Sequence, residues 1–129
     1  MNFLRRLLGR SEESAPDKPV TLDLDARREQ LLTLEQAVDA LTARMREQER
    51  LMSNPGWRGR VAEYDRVAGA ATMLRKGTPT REGLLDISFE VRPLFNGPAP
   101  EGLSDLIALQ EPMLAAAKAL QELLPGEAD

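Results

Sequence analysis

The sequence contains no cysteine and no histidine. Without cysteine the chain has no disulfide, no thiolate ligand for zinc and no thiol nucleophile. Without histidine it lacks the usual general base near neutral pH and the commonest side-chain metal ligand. These absences exclude histidine-dependent catalytic triads and the Glu-x-x-His di-iron site of some four-helix proteins. We therefore predict a protein that is not an enzyme, with no catalytic residue, cofactor or metal.

Aromatic residues and long apolar runs are also scarce. Only 4% of the residues are aromatic, whereas 42% are hydrophobic, so the core must consist mainly of Leu, Ala, Val and Met. That composition favours helices over a sheet. No run reaches the roughly 20 apolar residues that span a bilayer. Arg5 and Arg6 interrupt the apolar residues of the N-terminus, which therefore does not resemble a secretory signal. We expect a cytoplasmic protein.

A long amphipathic helix is predicted from about Leu22 to Ser53. Apolar residues recur there at the a and d positions of about four heptads, a pattern typical of coiled coils. The opposite face is charged and includes Glu35. The residues of this helix seam are Leu24, Leu31, Leu34, Val38, Leu41, Met45 and Met52.

Three further amphipathic helices are predicted, and short connections join them. They run from about Pro55 to Lys76, Pro79 to Leu94 and Gly102 to Leu124. Short connections favour antiparallel neighbours. The expected fold is thus all-α, an antiparallel helical bundle of about four helices with a long first helix of coiled-coil character. It occupies residues 21–126, and residues 127–129 form a short tail.

The helix seam has two interpretations, which the pattern alone leaves open. It is either the inner face of this chain's own bundle or the interface of a homodimer, because both use the same packing. The predicted first helix has about 32 residues and would extend beyond its shorter neighbours by more than one turn, at about 1.5 Å per residue. Since exposed apolar residues there would need covering, this overhang favours a homodimer.

Residues 1–10 form a short basic amphipathic segment. On a helix, four apolar residues would share one arc, while Arg5 and Arg6 lie outside it, as in helices that lie on a membrane surface. The segment contacts an anionic membrane surface or a protein partner, or else it packs against the bundle or stays disordered. The contact residues are Phe3, Leu4, Arg5, Arg6, Leu7 and Leu8. Residues 11–20 are polar, contain proline, and are expected to form a disordered linker.

A basic stretch lies at residues 57–81, within a chain whose net charge is −4. Arginines beside an aromatic residue can contact phosphates and stack on bases, so the alternative function is nucleic-acid binding. The competing interpretation is a solvated face that pairs with the acidic residues Glu101, Asp105, Glu111 and Glu122. The candidate contacts are Trp57, Arg58, Arg60, Arg66, Arg75 and Lys76.

Glu82, Asp86 and Glu90 are spaced by four and share one face of a helix. Such a row either binds a divalent cation or forms a solvated stripe, and we favour the stripe. No small-molecule substrate is evident. Taken together, the sequence favours a helical protein-interaction or scaffold module, dimeric and tethered to the membrane surface through its N-terminal segment.

Overall fold

The computed structural model describes residues 21–127, and in this range the fold is all-α. The predicted segment 1–10 and the predicted linker 11–20 lie outside the described residues, because Thr21 is the first residue described. The helices are α1 (Leu24–Arg46), α2 (Glu49–Met52), α3 (Pro55–Lys76), α4 (Arg81–Glu90) and α5 (Ser104–Ala119).

Helix α1 packs against both α3 and α5, and α4 also contacts α3 and α5. Two hydrogen bonds show the direction of α3 relative to α1. Arg28 at the start of α1 donates to the carbonyl of Arg75 at the end of α3 (3.1 Å). At the other end of α1, the Trp57 indole donates to the Met45 carbonyl (3.0 Å). Helices α1 and α3 therefore run antiparallel.

The residues of the predicted helix seam pack inside this chain's own core. Leu31, Leu34, Val38, Leu41 and Met45 are fully buried. They pack together with apolar residues of α3, α4 and α5 in one continuous cluster. At the ends of the seam the burial is incomplete. Met52 is half-buried, and Leu24 is 37% exposed.

The predicted first helix is wrong in its length. It ends at Arg46, and Glu49–Met52 forms the separate helix α2. At the end of α1, the Met45 carbonyl accepts from the Gln48 amide (3.2 Å) and from the Trp57 indole. These bonds replace the bond that a continuing helix would make. Because α1 has 23 residues and α3 has 22, the overhang that favoured a homodimer is absent.

The prediction for α3 is confirmed from Pro55 to Lys76. The Asn54 side chain accepts from the amides of Gly56 (2.7 Å) and Trp57 (3.3 Å), as an N-cap should, and Pro55 occupies the first turn. The other two helices are shorter than predicted. Helix α4 begins after its N-cap Thr80 and ends at Glu90, and α5 ends at Ala119.

A buried ion pair joins the two ends of the described chain. The Arg27 guanidinium donates to both carboxylate oxygens of Glu127, at 2.9 and 2.6 Å, and both side chains are almost fully buried. The amides of Asp23 and Leu124 donate to the same carboxylate. Glu127 is the first residue of the segment predicted to be a tail, and the structure places it inside the fold. These bonds lower the pKa of Glu127 to about 2.

Glu35 was predicted to lie on the solvated face of the first helix, and that prediction is wrong. Its side chain is buried between α1 and α3, where it accepts hydrogen bonds from Thr72 (2.6 Å) and Arg75 (3.0 Å). The bond from Arg75 holds the pKa of Glu35 below its usual value, although burial acts in the opposite direction. This ion pair fastens α3 to α1.

Within residues 21–127, no helix combines the length and the apolar character that crossing a membrane requires.

Candidate protein-interaction surface

Helices α3 and α4 leave an apolar groove between them. Its floor and walls come from the C-terminal half of α3 and from the exposed side of α4. Gly83 allows the two helices to approach closely, since a Cβ at that position would lie 3.0 Å from a methyl group of Leu74. We call this the α3–α4 groove, and its lining residues are Ala70, Met73, Leu74, Gly83, Asp86, Ile87 and Glu90.

The α3–α4 groove carries unusually exposed apolar side chains. Met73 in the groove is 77% exposed and Phe89 beside it is 69% exposed, more than any other large apolar residue in the range 21–127. Leu123 and Leu24 follow at 44% and 37%. Exposed apolar residues that are scattered singly need no explanation, but those that cluster with a groove mark interaction sites. Met73 lines the groove, and Phe89 lines an adjoining depression that shares Glu90 with it, so the two exposed side chains belong to one continuous surface.

The charged residues that line the α3–α4 groove, among those described, are both acidic. Asp86 and Glu90 lie on α4 and are exposed, and Glu82 precedes them on the same helix. No basic side chain lines this part of the described surface. A ligand that fits the groove therefore combines an apolar face with positive charge.

A second depression continues the surface along α3 and shares Glu90 with the groove. It is lined by Glu63, Arg66, Val67, Phe89, Glu90 and Arg92. Here the charges are balanced, because Arg92 donates to both carboxylate oxygens of Glu63 at 2.8 and 2.9 Å. These bonds lower the pKa of Glu63. Phe89 thus lines a charge-neutral depression that adjoins the acidic apolar groove.

Several cations of the predicted nucleic-acid patch are engaged by the chain itself. Arg75 pairs with Glu35. Arg60 donates to the Tyr64 hydroxyl and to the Pro93 carbonyl, both at 2.7 Å. The Arg60 guanidinium also lies over the Tyr64 ring, 5.2 Å from its centroid. Burial raises the pKa of Tyr64. These arginines hold helices and loops together.

The remaining residues of that patch do not form one cationic surface either. The Trp57 indole is half-buried and donates to the α1 carbonyl of Met45, which ties the side chain to the end of α1. Arg58 donates to the Met52 carbonyl (2.9 Å). Arg66 and Lys76 are exposed and lie about 10 residues apart on α3, roughly 15 Å along the helix axis.

The acidic partners of the basic stretch also differ from the prediction. Its arginines pair with Glu35 and Glu63, which belong to α1 and α3. The predicted partner Asp105 of α5 pairs with Arg44 of α1 (2.5 Å). Arg81 does reach the end of α5, but it donates to the backbone carbonyls of Leu120 and Gln121.

The row formed by Glu82, Asp86 and Glu90 is exposed to solvent. No group of three or more potential metal ligands comes together in the part of the chain that the structure describes. The predicted membrane or partner contacts Phe3, Leu4, Arg5, Arg6, Leu7 and Leu8 lie outside that part.

Two residues of the groove surface were missed or misplaced at the sequence level. Phe89 lies outside the apolar stripe of its helix, whose centre includes Leu84 and Ile87, and its side chain is exposed. Met73 belonged to no predicted seam. Both deviate from the stripe of their helix by more than about 100° at 100° per residue, which is the signal that identifies them.

In comparisons with known proteins, no family model, no curated protein and no solved structure matches this chain. The candidate site therefore depends on the geometry of the described residues.

Proposed function

We propose that this protein is a non-enzymatic helical interaction module whose α3–α4 groove binds a basic amphipathic helix of a partner protein. In this proposal α1, α3, α4 and α5 form an antiparallel bundle that holds the groove open. The observation that carries the proposal is the pair of exposed apolar residues, Met73 and Phe89, beside a groove whose charged rim is acidic.

A helix is the ligand that fits the shape of this surface best. Helix-in-groove recognition uses apolar anchors at positions i, i+3, i+4 and i+7, which enter a groove between two helices of the receptor. Phe89 is the strongest candidate for a binding hot spot, because aromatic residues dominate such interfaces energetically. Methionine adapts its shape to different apolar partners, which suits Met73 to a binding surface.

The charge of the groove determines which helix it would prefer. Asp86 and Glu90 would attract arginine or lysine on the polar face of the ligand and repel acidic helices. The same carboxylates would disfavour an anionic lipid surface at the groove. This argues for a protein ligand there.

Fluorescence anisotropy tests this function. The ligand is a fluorescein-labelled peptide of about four helical turns, with leucines at i, i+3, i+4 and i+7 and with arginines on the other face. We expect the full-length protein to bind it, and we expect Phe89→Asp to weaken binding about tenfold or more, as loss of a hot-spot aromatic does. A peptide with glutamate in place of arginine is expected not to bind.

The matched control is Leu123→Asp, which introduces the same charge at another exposed apolar residue outside the groove. It should bind the peptide as the unmodified protein does. Equal affinities for the unmodified protein, Phe89→Asp and Leu123→Asp would refute docking in the groove, as would the absence of any binding.

A membrane contact through residues 1–10 remains part of the proposed function. Its support is the sequence pattern alone, in which Phe3, Leu4, Leu7 and Leu8 share one helical face and Arg5 and Arg6 lie outside it. Co-sedimentation with anionic vesicles of phosphatidylserine and phosphatidylcholine tests it. The full chain should sediment with the vesicles and Leu4→Glu with Leu7→Glu should not. Equal and negligible sedimentation of both proteins would exclude it.

The predicted homodimer has lost its main support, because α1 does not extend beyond α3 and the seam residues from Leu31 to Met45 lie in the chain's own core. It stays a prediction that light scattering on a size-exclusion column can decide. A mass near 14.3 kDa at every concentration would refute it. The nucleic-acid alternative is likewise weakened, because Arg60 and Arg75 are engaged within the fold.

A further inference from the structure

We propose that the α3–α4 groove is occupied, in the free protein, by the N-terminal segment of this same chain, with Phe3, Leu4, Leu7 and Leu8 as the anchors. This inference rests on the proposed function of the groove and names a ligand for it. It also gives the groove a regulatory role, since a partner helix must displace the chain's own segment.

The chemistry of the segment complements the chemistry of the groove. The groove offers the exposed apolar side chain of Met73 and the carboxylates of Asp86 and Glu90, and the adjoining depression offers the exposed Phe89. Residues 1–10 offer five large apolar residues, four of which share one helical face, and three arginines, with no acidic residue. An apolar face with flanking positive charge is the ligand class that the groove favours.

The N-terminal segment joins the described part of the chain close to one end of the groove. Helix α1 begins beside the end of α3, because Arg28 donates to the carbonyls of Arg75 and Gly77, both at 3.1 Å. Met73 and Leu74, at one end of the groove, lie within one turn of that point. The ten residues 11–20 span up to about 33 Å when extended. Because α1 begins beside one end of the groove, a linker of this reach suits the docking of residues 3–8 there.

The lengths of ligand and surface agree. A helix of ten residues is about 15 Å long. The groove and the adjoining depression follow α3 from Leu74 back to Glu63, a separation of eleven residues, which corresponds to about 16 Å along the helix axis. The groove and the depression together can therefore cover the whole segment, and its nearly three turns would gain from packing the stability that so short a helix lacks in water.

Docking in the groove and contact with a membrane use the same apolar residues of the segment. The two states therefore exclude each other. A partner helix that fills the groove would release residues 1–10 for a membrane surface, and an anionic membrane that captures the segment would open the groove. By linkage, each event promotes the other.

The absence of cysteine allows a clean disulfide-trapping experiment on the full-length chain. Leu7→Cys is combined with Met73→Cys, and formation of the intramolecular disulfide in glutathione buffer is followed on non-reducing gels. The matched control combines Leu7→Cys with Ala115→Cys, an exposed position of α5 outside the groove. We expect the 7–73 disulfide to form about ten times faster than the 7–115 disulfide, because docking raises the local concentration above that of a free tether.

Equal rates for the two pairs would overturn the proposal, and so would a 7–73 disulfide found only between two chains. A second measurement separates this inference from the proposed function. Leu7→Glu should bind the added arginine-leucine peptide several times more tightly than the unmodified protein, because its own segment no longer competes. If both bind the peptide equally, the self-docking fails and the groove function stands. If neither binds it, the groove function itself fails.

Discussion

Helix α3 has two sides with opposite physical character. On the side that faces α1, Tyr64 and Ala71 are fully buried, and Thr72 and Arg75 bind the Glu35 carboxylate. On the side that faces α4, Met73 is largely exposed above a groove rimmed by unburied carboxylates. Both sides are rich in small and apolar residues, but only the first is covered by another helix along its length.

This difference separates the residues that hold the fold from those available for binding. On the α1 side the apolar contacts are complete and the charges of Glu35 and Arg75 are paired within the chain. Changes there should reduce stability. On the α4 side, Met73 and Phe89 are largely exposed and contribute little to the stability of the fold. Changes there should reduce binding and leave stability nearly unaltered.

The largest loss of stability is expected for Glu127→Ala. This variant leaves the buried Arg27 guanidinium without its carboxylate, and breaking a buried pair in this way costs about 3–5 kcal/mol. Urea unfolding followed by circular dichroism measures it. The control is Glu122→Ala, which removes an exposed carboxylate nearby. Glu122 contacts Arg27 only through its backbone carbonyl, so this variant should change stability little. A loss below about 1 kcal/mol for Glu127→Ala would contradict a role for Glu127 in the fold.

The same ion pair predicts a dependence on acid. The pKa of Glu127 is about 2 in the folded protein, below its ordinary value of 4.5. Its contribution to stability is therefore complete above pH 4.5 and is lost as the pH falls from 4.5 towards 2. About 2 kcal/mol should be lost by about pH 3. Glu127→Gln lacks this contribution at every pH, so the stability gap between the two proteins should narrow on acidification, and a constant gap would refute the assignment.

A smaller effect is expected for Glu35→Ala. The pair with Arg75 is partly exposed, so removing a charged hydrogen-bond acceptor should cost roughly 1–3 kcal/mol. Arg75→Ala should cost a similar amount, and the double variant should cost less than the sum of the two, which a double-mutant cycle in urea measures. Strict additivity would mean that the two side chains do not interact.

The smallest change in stability is expected on the α4 side. Phe89→Asp and Met73→Asp should each stay within about 0.5 kcal/mol of the unmodified protein, as exposed substitutions usually do. Urea midpoints check this on the same samples that are used for peptide binding. A loss above about 2 kcal/mol would place these side chains in the fold, and the two sides of α3 would no longer differ.

Features of the fold that depend on neighbouring residues in the sequence could be predicted, whereas those that depend on contacts between distant residues could not. The bounds of α3 were predicted because local signals set them, namely Asn54 and Pro55 at the start and Gly77 at the end. The end of α1 was not predicted, because the hydrogen bond from the Trp57 indole to the Met45 carbonyl at that end is a tertiary contact. Burial of Glu127 depends on Arg27, a hundred residues away, and no periodic pattern reveals that pairing.

The groove is an intermediate case. The positions of Met73 and Phe89 outside the apolar stripes of their helices can be read from the sequence. The sequence does not reveal whether a neighbouring helix covers these two side chains, since this depends on how α3 and α4 pack. The seam residues from Leu31 to Met45 show the converse. Their pattern predicted burial correctly, but it did not distinguish the chain's own core from a dimer interface.

The most direct test of the groove uses methionine methyl groups as probes. The chain has five methionines. Met73 is exposed in the groove, whereas Met45 and Met113 are fully buried in the core. The full-length Leu7→Glu protein, labelled with ¹³C at its methionine methyls, is titrated with the unlabelled arginine-leucine peptide and observed by NMR. The Met73 signal should shift until saturation, while the signals of Met45 and Met113 should stay in place. A titration in which the peptide binds and Met73 does not move would contradict docking in the groove.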